Sequence, residues 1–481
     1  MNSPANNNSS SLKSQILSLS KPFWMVNVME MFERLAYYGT RVVLPIYIAQ
    51  ADEIGGLHFT QIDKGIIFTL WALFESITPM VSGGFADRYG FKRTIGVSVA
   101  IKVLGYLLMA TQREFWPFLI GCSVLAIGTA IFKPGVQGTM VHSLTRKNSS
   151  VGWGAFYMLV NIGAFLGPPV AHFLYGISWS AVFYGCAALV SLNFLVLLTY
   201  DDVSVESNEK FNPLGILKMT LKNLADKKII FFIIIISGFW LMLMQLFDML
   251  PNFIVDWVDS SEIVHDFSLP DWMLQRNSNR GDQIAQEWLI NANAAFIVVG
   301  VVFVSWLVSR MSRLTAITMG IMSASIGLML AGFTNSGYIC LMGILVFTVG
   351  EMLCSPKLNE FMGVISPKGK EGLYQGYVHI PRGIGQATGA YFAGIVYGKM
   401  GDKANLALDY LKNNYDITGV ERTEAMNKLM EVTQLNAVDA TNLLWDHNDP
   451  YQLWYPFALV GVASAVGMFF YGRWIRKTDQ V

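Results

Sequence analysis

The chain has 481 residues, of which 53% are hydrophobic and only 14% charged, and 34 Lys and Arg balance 34 Asp and Glu. Soluble globular proteins carry about 25% charged residues, so this deficit excludes an ordinary soluble domain and points to the bilayer. A balanced net charge argues against nucleic acid as a partner. The four cysteines (Cys122, Cys186, Cys340, Cys354) all lie in apolar segments, and no Cys/His spacing suggests a metal.

Residues 1–22 are rich in Asn and Ser at their start and lack the basic-then-apolar pattern of a cleaved signal, so they read as a cytoplasmic tail. Apolar runs of about 20 residues, enough to cross a hydrocarbon core of about 30 Å, then follow along the chain. Their bounds are 23–50, 62–83, 94–112, 115–140, 153–175, 178–200, 229–255, 286–309, 313–333, 337–363, 374–398 and 452–473. They form two sets of six, 23–200 and 228–473, separated by a polar cytoplasmic linker at 201–227 and followed by a tail at 474–481.

Arg88, Lys92, Arg93, Arg146, Lys147, the linker lysines, Arg310, Arg313, Lys368, Lys370, Arg473, Arg476 and Lys477 all fall on one side of these spans. Basic residues near span ends stay on the cytoplasmic side, so both termini are expected there. The opposite loops are short or acidic, notably 256–287. The segment 400–450 has helical periodicity but too many charges to span, and is expected as two or three short helices outside the membrane. The expected fold class is an all-α membrane protein with 12 transmembrane helices in two six-helix bundles.

The first span carries EMFERLAYYGTR, Glu30 to Arg41. At 100° per residue from Glu30, the positions of Glu33, Arg34, Tyr37 and Arg41 fall at about 300°, 40°, 340° and 20°, so they form one polar stripe. An ionised side chain at the centre of a membrane helix costs roughly 2.5–3.5 kcal/mol, so four unpaired ones would cost on the order of 10 kcal/mol. The stripe must face a polar cavity or an internal ion-pair network. Lys133 and Glu351 sit inside spans 4 and 10, beside Pro134 and Pro356, which can bend a helix. Lys102 in span 3 and Glu75 in span 2 are further charges that could pair with each other or snorkel.

Between spans 2 and 3 stands GGFADRYGFKRT, Gly83 to Thr94, which resembles the signature loop of the major facilitator superfamily. There Gly84 would permit a tight turn, and Asp87 with Arg88 would lock helix ends as a gate. The opening E-x-x-E-R with Tyr37 and Tyr38, IFKPGV at 131–136, FYMLVNIGAFLGP at 156–168 and VGEMLCSP at 349–356 resemble the proton-coupled oligopeptide transporters. The resemblance covers spans 1 to 5 and 10 well, spans 7, 8 and 11 loosely, and 400–450 not at all. It implies that Glu351 meets a peptide's amino group and that Arg41 and Lys133 meet its carboxylate. It further implies that Tyr37, Tyr38, Trp240, Asn161 and Asn293 line the substrate site. Proton coupling needs a carboxylate whose affinity for protons changes with its partners; Glu30 and Glu33 beside Arg34 meet that need, with Glu351 beside Lys133 as a second candidate.

Two departures stand out. Where the resembled family places a Glu four residues after a Trp in helix 7, this chain has Met244 after Trp240, and Asp248 one turn on is the expected partner of Arg41. Helix 11 reads YVHIPRGIGQ, so His379 and Arg382 join the expected substrate site unless Arg382 is solvated near the cytoplasmic end; an added cation would favour an anionic group. The resulting expectation is a proton-coupled symporter of di- or tripeptides, with protons as coupling ion and no other cofactor, no obligate protein partner, and a bacterial inner membrane as location. Alternatives are a symporter of another small anion or zwitterion (an amino acid derivative, nitrate, a carboxylate) or a transport-dead sensor or scaffold. An enzyme is disfavoured because no nucleophile-base arrangement, P-loop or metal site appears.

Overall fold

In a computed structural model, which describes residues 12–145, 148–203, 226–276, 278–365 and 379–479, the chain is helical throughout its long elements. The first half comprises α1 (Lys21–Ala49), α2 (Gln61–Tyr89), α3 (Phe91–Thr111), α4 (Phe115–Ser143), α5 (Ser149–Tyr175) and α6 (Trp179–Leu197). The second comprises α7 (Lys227–Leu243), α8 (Gln286–Ser309), α9 (Arg313–Phe333), α10 (Gly337–Ile365), α11 (His379–Met400) and α12 (Tyr455–Asp479). Eight of these helices are long and apolar enough by length and composition to cross a membrane. The charged α1 is not among them, and its charges are the ones that face inward.

Local chemistry sets the ends. Thr60 and Asp63 form a reciprocal capping box that starts α2, and Ser178 and Ser312 cap α6 and α9 by accepting from backbone N–H groups three residues on. The turn between α2 and α3 differs from expectation. Gly83 and Gly84 lie inside α2, and the chain reverses at Gly90, whose φ of 94° is a conformation suited to glycine.

The helix expected at 229–255 is also not continuous. It breaks at Met244 and again at Met249, leaving a single turn at Gln245–Asp248 and a last segment at Leu250–Trp257. Pro251 at the start of that segment lacks an N–H to bond back. The interruption leaves the Phe247 carbonyl available, and Arg41 Nη1 donates to it at 3.5 Å.

Among the described residues two large apolar cores form, one almost wholly within residues 19–200 and the other almost wholly within 229–475, with a third, smaller one where α8, α9 and α10 meet. The halves cross where α2 meets α11 and α5 meets α8. At the first crossing a Cβ on Gly65 would lie 2.9 Å from the Ala390 carbonyl oxygen, and one on Gly394 would lie 2.6 Å from that of Gln61. Only glycine permits so close an approach, the means by which membrane helices gain contact without a hydrophobic drive. Large apolar side chains such as Leu195, Val299 and Leu459 project outward, a surface suited to lipid tails.

The segment 400–450 forms helices at Lys403–Tyr415, Ala425–Thr433 and Ala437–Asn448. It is more than a surface spacer. Ala407, Leu411, Leu429 and Leu444 are fully buried and continue the core of the second half. From this segment Arg422 pairs with Asp402 and donates to the carbonyls of Ala49 at 2.7 Å and Phe59 at 3.3 Å, across the boundary to the first half.

Candidate functional site: a sealed end and a cluster of charges

The charged stripe of α1 separates into two zones. Nearer its N-terminus, Arg34 pairs with Glu33 and, at 3.0 Å, with Glu30. Lys102 of α3 reaches Glu33 at 3.9 Å and lies 3.6 Å from the centroid of the Phe132 ring. Two acids and two bases thus neutralise one another inside the first half. Lys102 does not pair with Glu75; that carboxylate instead accepts from the Tyr37 hydroxyl at 3.4 Å. Tyr37 in turn packs edge-on against Tyr38 and Trp71.

One turn further, Arg41 forms an ion pair with Asp248, and both are buried, 4% and 1% exposed. The Arg41 guanidinium also lies 4.0 Å over the Phe68 ring. The two residues expected to be partners are therefore brought together, but through the break in helix 7 rather than along a continuous helical face. Arg41 also departs from expectation. It does not open into a common chamber with Lys133 and Glu351, since its charge is fully engaged across the two halves.

Around this pair the end that carries the α1–α2 loop is sealed by contacts between the halves. Lys64 of α2 donates to Asn252 at 2.7 Å, and Asn252 donates to the Pro45 carbonyl and to Gln50. Gln50 donates to Asp256 at 2.8 Å, and Gln61 donates to Asp402 at 2.9 Å. On the α5–α8 side His172 pairs with Glu287, and Gln286 donates to the Val42 carbonyl at 3.1 Å. In the α1–α2 loop Glu53 accepts from the Trp179 indole at 3.1 Å, and burial beside Asp52 and Glu287 pushes its carboxyl up to about 7. Among the described residues no ion pair joins the halves at the opposite end.

Toward that opposite end, charges from both halves come within electrostatic reach of one another. Lys133 of α4 interacts most strongly with Glu75 and more weakly with Arg382, and it forms no ion pair among the described residues. It is not beside Glu351, contrary to expectation. Glu351 accepts from Asn293 at 3.0 Å and feels the charge of Arg382. Arg382 is half-buried; its guanidinium lies 5.0 Å over the Trp240 ring, within electrostatic reach of Tyr37, Tyr38, Lys133 and Glu351. His379 opens α11, exposed, with Arg382 and Lys133 as its charged neighbours.

The two asparagines are already satisfied by helices: Asn293 also donates to Thr348, and Asn161 donates to the Tyr157 carbonyl in its own helix. Gly84 lies within α2 rather than in a turn, the Asp87 side chain lies outside the described residues, and Arg88 is exposed against the Tyr89 ring.

The model of the Major Facilitator Superfamily matches residues 27–390. The chain belongs to the Major Facilitator Superfamily. Among curated relatives, the "Multidrug resistance protein MdtH" of Yersinia pestis (strain Pestoides F) is 23% identical over 396 residues, which cover 80% of this chain and 88% of MdtH. Among solved structures, a peptide transporter POT mutant in complex with alafosfalin superposes with a TM-score of 0.68 at 15% identity, covering 94% of this chain and 93% of that one. A POT family transporter in complex with 5-aminolevulinic acid gives 0.65 at 15% identity, covering 91% and 99%. A structure described as showing substrate recognition in proton dependent oligopeptide transporters gives 0.68 at 16% identity, covering 95% and 99%. This superfamily member is thus an integral membrane protein with the fold of those transporters.

Sequence reasoning missed the inter-half contacts of Lys64, Asn252, His172 and Arg422. Asn252 and His172 each stand as an isolated polar residue within an apolar run, the same signal that drew notice to Lys133, whereas Lys64 follows Asp63 at a helix start and gave no such signal. Arg422 gave none, because in a polar segment one more cation is unremarkable.

Proposed function

We propose that this superfamily member is a proton-coupled symporter of di- or tripeptides, working by alternating access in a bacterial inner membrane. The observation that carries the reading is the pair of cations, Lys133 within electrostatic reach of Arg382 and Arg382 within reach of Glu351, neither of which forms an ion pair among the described residues. A zwitterionic peptide has its ammonium and carboxylate at fixed separation, so it needs separated counter-charges of this kind. Glu351 receives the ammonium and Lys133 the carboxylate, while Tyr37, Tyr38 and Trp240 supply walls.

In this reading the sealed end is the outer gate, closed by Arg41 with Asp248 and by His172 with Glu287. A proton reaching Asp248 from outside removes its charge and releases Arg41. The freed guanidinium can then help draw a substrate carboxylate inward, and the halves rock about the chamber. The paired Glu30, Glu33 and Arg34 form a second place where a proton would change a charge balance.

A multidrug exporter is the second reading, favoured by the MdtH relative. Two unpaired cations in the chamber count against lipophilic cations as cargo. Uptake of labelled di-alanine into proteoliposomes with an inwardly directed proton gradient separates the two. The symport reading expects accumulation that collapses when the gradient is dissipated, whereas absence of any peptide accumulation would retire it.

A further inference from the structure

We propose, resting on the peptide reading above, that Arg382 is a specificity-determining residue that selects peptides with a second carboxylate, an Asp or Glu side chain, over neutral ones. The guanidinium lies on the face of Trp240 and makes no ion pair among the described residues. A cation–π contact leaves the edge N–H donors of the guanidinium free. The acids that share its space are held elsewhere: Glu351 by Asn293 at 3.0 Å and Glu75 by Tyr37 at 3.4 Å. The indole N–H of that same ring is buried and has no hydrogen-bond partner among the described residues, a second unused donor.

A zwitterionic dipeptide brings one ammonium and one carboxylate, which Glu351 and Lys133 take up, while Glu75 stays with Tyr37 and Lys133. The half-buried Arg382 then still has no carboxylate within ion-pair distance among the described residues. A peptide of net charge −1 brings one more carboxylate that can reach it. Arg382 with the Trp240 N–H offers that group a planar fork and a third donor. The neutral quartet of Glu30, Glu33, Arg34 and Lys102 and the closed pair of Arg41 and Asp248 leave no comparable vacancy.

The test is counterflow of labelled di-alanine in proteoliposomes, with unlabelled Ala-Ala, Ala-Glu and Ala-Lys as competitors. Wild-type protein is expected to bind Ala-Glu at least about tenfold more tightly than Ala-Ala, the size of one charged hydrogen-bonded contact, and Ala-Lys more weakly than both. Arg382→Gln should bring Ala-Glu and Ala-Ala to within about twofold of each other, while Arg382→Lys should keep part of the preference. Melting temperature and a monodisperse elution profile check folding; if Arg382→Gln does not assemble, the Lys variant must still show a reduced ratio. Equal competition by Ala-Glu and Ala-Ala in wild type would overturn this inference and leave the peptide reading standing. An undiminished preference in the assembled variants would overturn the role of Arg382. Failure of every peptide to compete would overturn both.

Discussion

The sealed end that carries the α1–α2 loop and the charged cluster toward the opposite end handle charge in opposite ways. At the sealed end Arg41, His172, Gln61 and Arg422 each reach across or toward the boundary between halves and find a partner there. In the cluster Lys133 and Arg382 form no ion pair among the described residues, while the neighbouring acids are held by the neutral donors Tyr37 and Asn293. Buried pairs add little net stability, yet breaking one by removing a single partner costs about 3–5 kcal/mol. In the proposed symporter the first set would lock the halves together, and the second would receive the counter-charges of a ligand.

That contrast is most exposed to attack at the lock. Asp248→Asn leaves Arg41 buried without its counter-charge and should shift the equilibrium toward outward opening. Thiol labelling of a cysteine placed near Val43 should rise by more than about tenfold, and proton-driven uptake should fall toward passive exchange. Unchanged labelling would show that the pair does not hold the gate. In the chamber, Lys133→Gln should lower peptide uptake by roughly a hundredfold through loss of a desolvated charge contact, measured as initial rate at low substrate. An effect confined to melting temperature would instead make Lys133 structural.

Smaller effects refine the picture. Arg422→Ala removes two carbonyl contacts that tie the 403–448 segment to the first half, along with the ion pair to Asp402, and should raise labelling at the sealed end by roughly fivefold, about 1 kcal/mol of hydrogen bonding. Glu53 offers a pH test. Its carboxyl stands at about 7 in the closed form against the usual 4.5, so the closed form binds a proton more tightly than an open, hydrated one. Closure is thus favoured as pH falls below about 7 and loses that support as pH rises through it. Glu53→Gln should flatten this dependence between pH 5 and about 8 in the same labelling assay; a slope equal to wild type would assign it to another group.

Much of the scaffold was legible because it depends on periodicity and on ends. The runs at 286–309 and 313–333 coincide with α8 and α9, whose junction is a short basic turn with Ser312 as cap. Apolar length cannot show a break such as that at Met244 and Met249, where Pro251 and the inward contact of Arg41 decide the geometry. The polar stripe of α1 was also readable, since it lies along one helix. Its partners were not. Lys102 meets Glu33 rather than Glu75, and Lys133 lies by Glu75 rather than Glu351, because helix packing sets which faces meet across the bundle. Asp248 was found as Arg41's partner by its depth in the chain, a clue that survived the break because the one-turn segment keeps the Asp248 N–H bonded to the Met244 carbonyl at 3.0 Å.

Proton entry with peptide tests the central claim most directly. Proteoliposomes loaded with an internal pH indicator, at equal pH across the membrane and with the interior held negative, would receive an external pulse of Ala-Ala or Ala-Glu. The account predicts internal acidification that starts with the peptide, is absent from empty liposomes and is lost in Asp248→Asn. Peptide entering with no change in internal pH would contradict it.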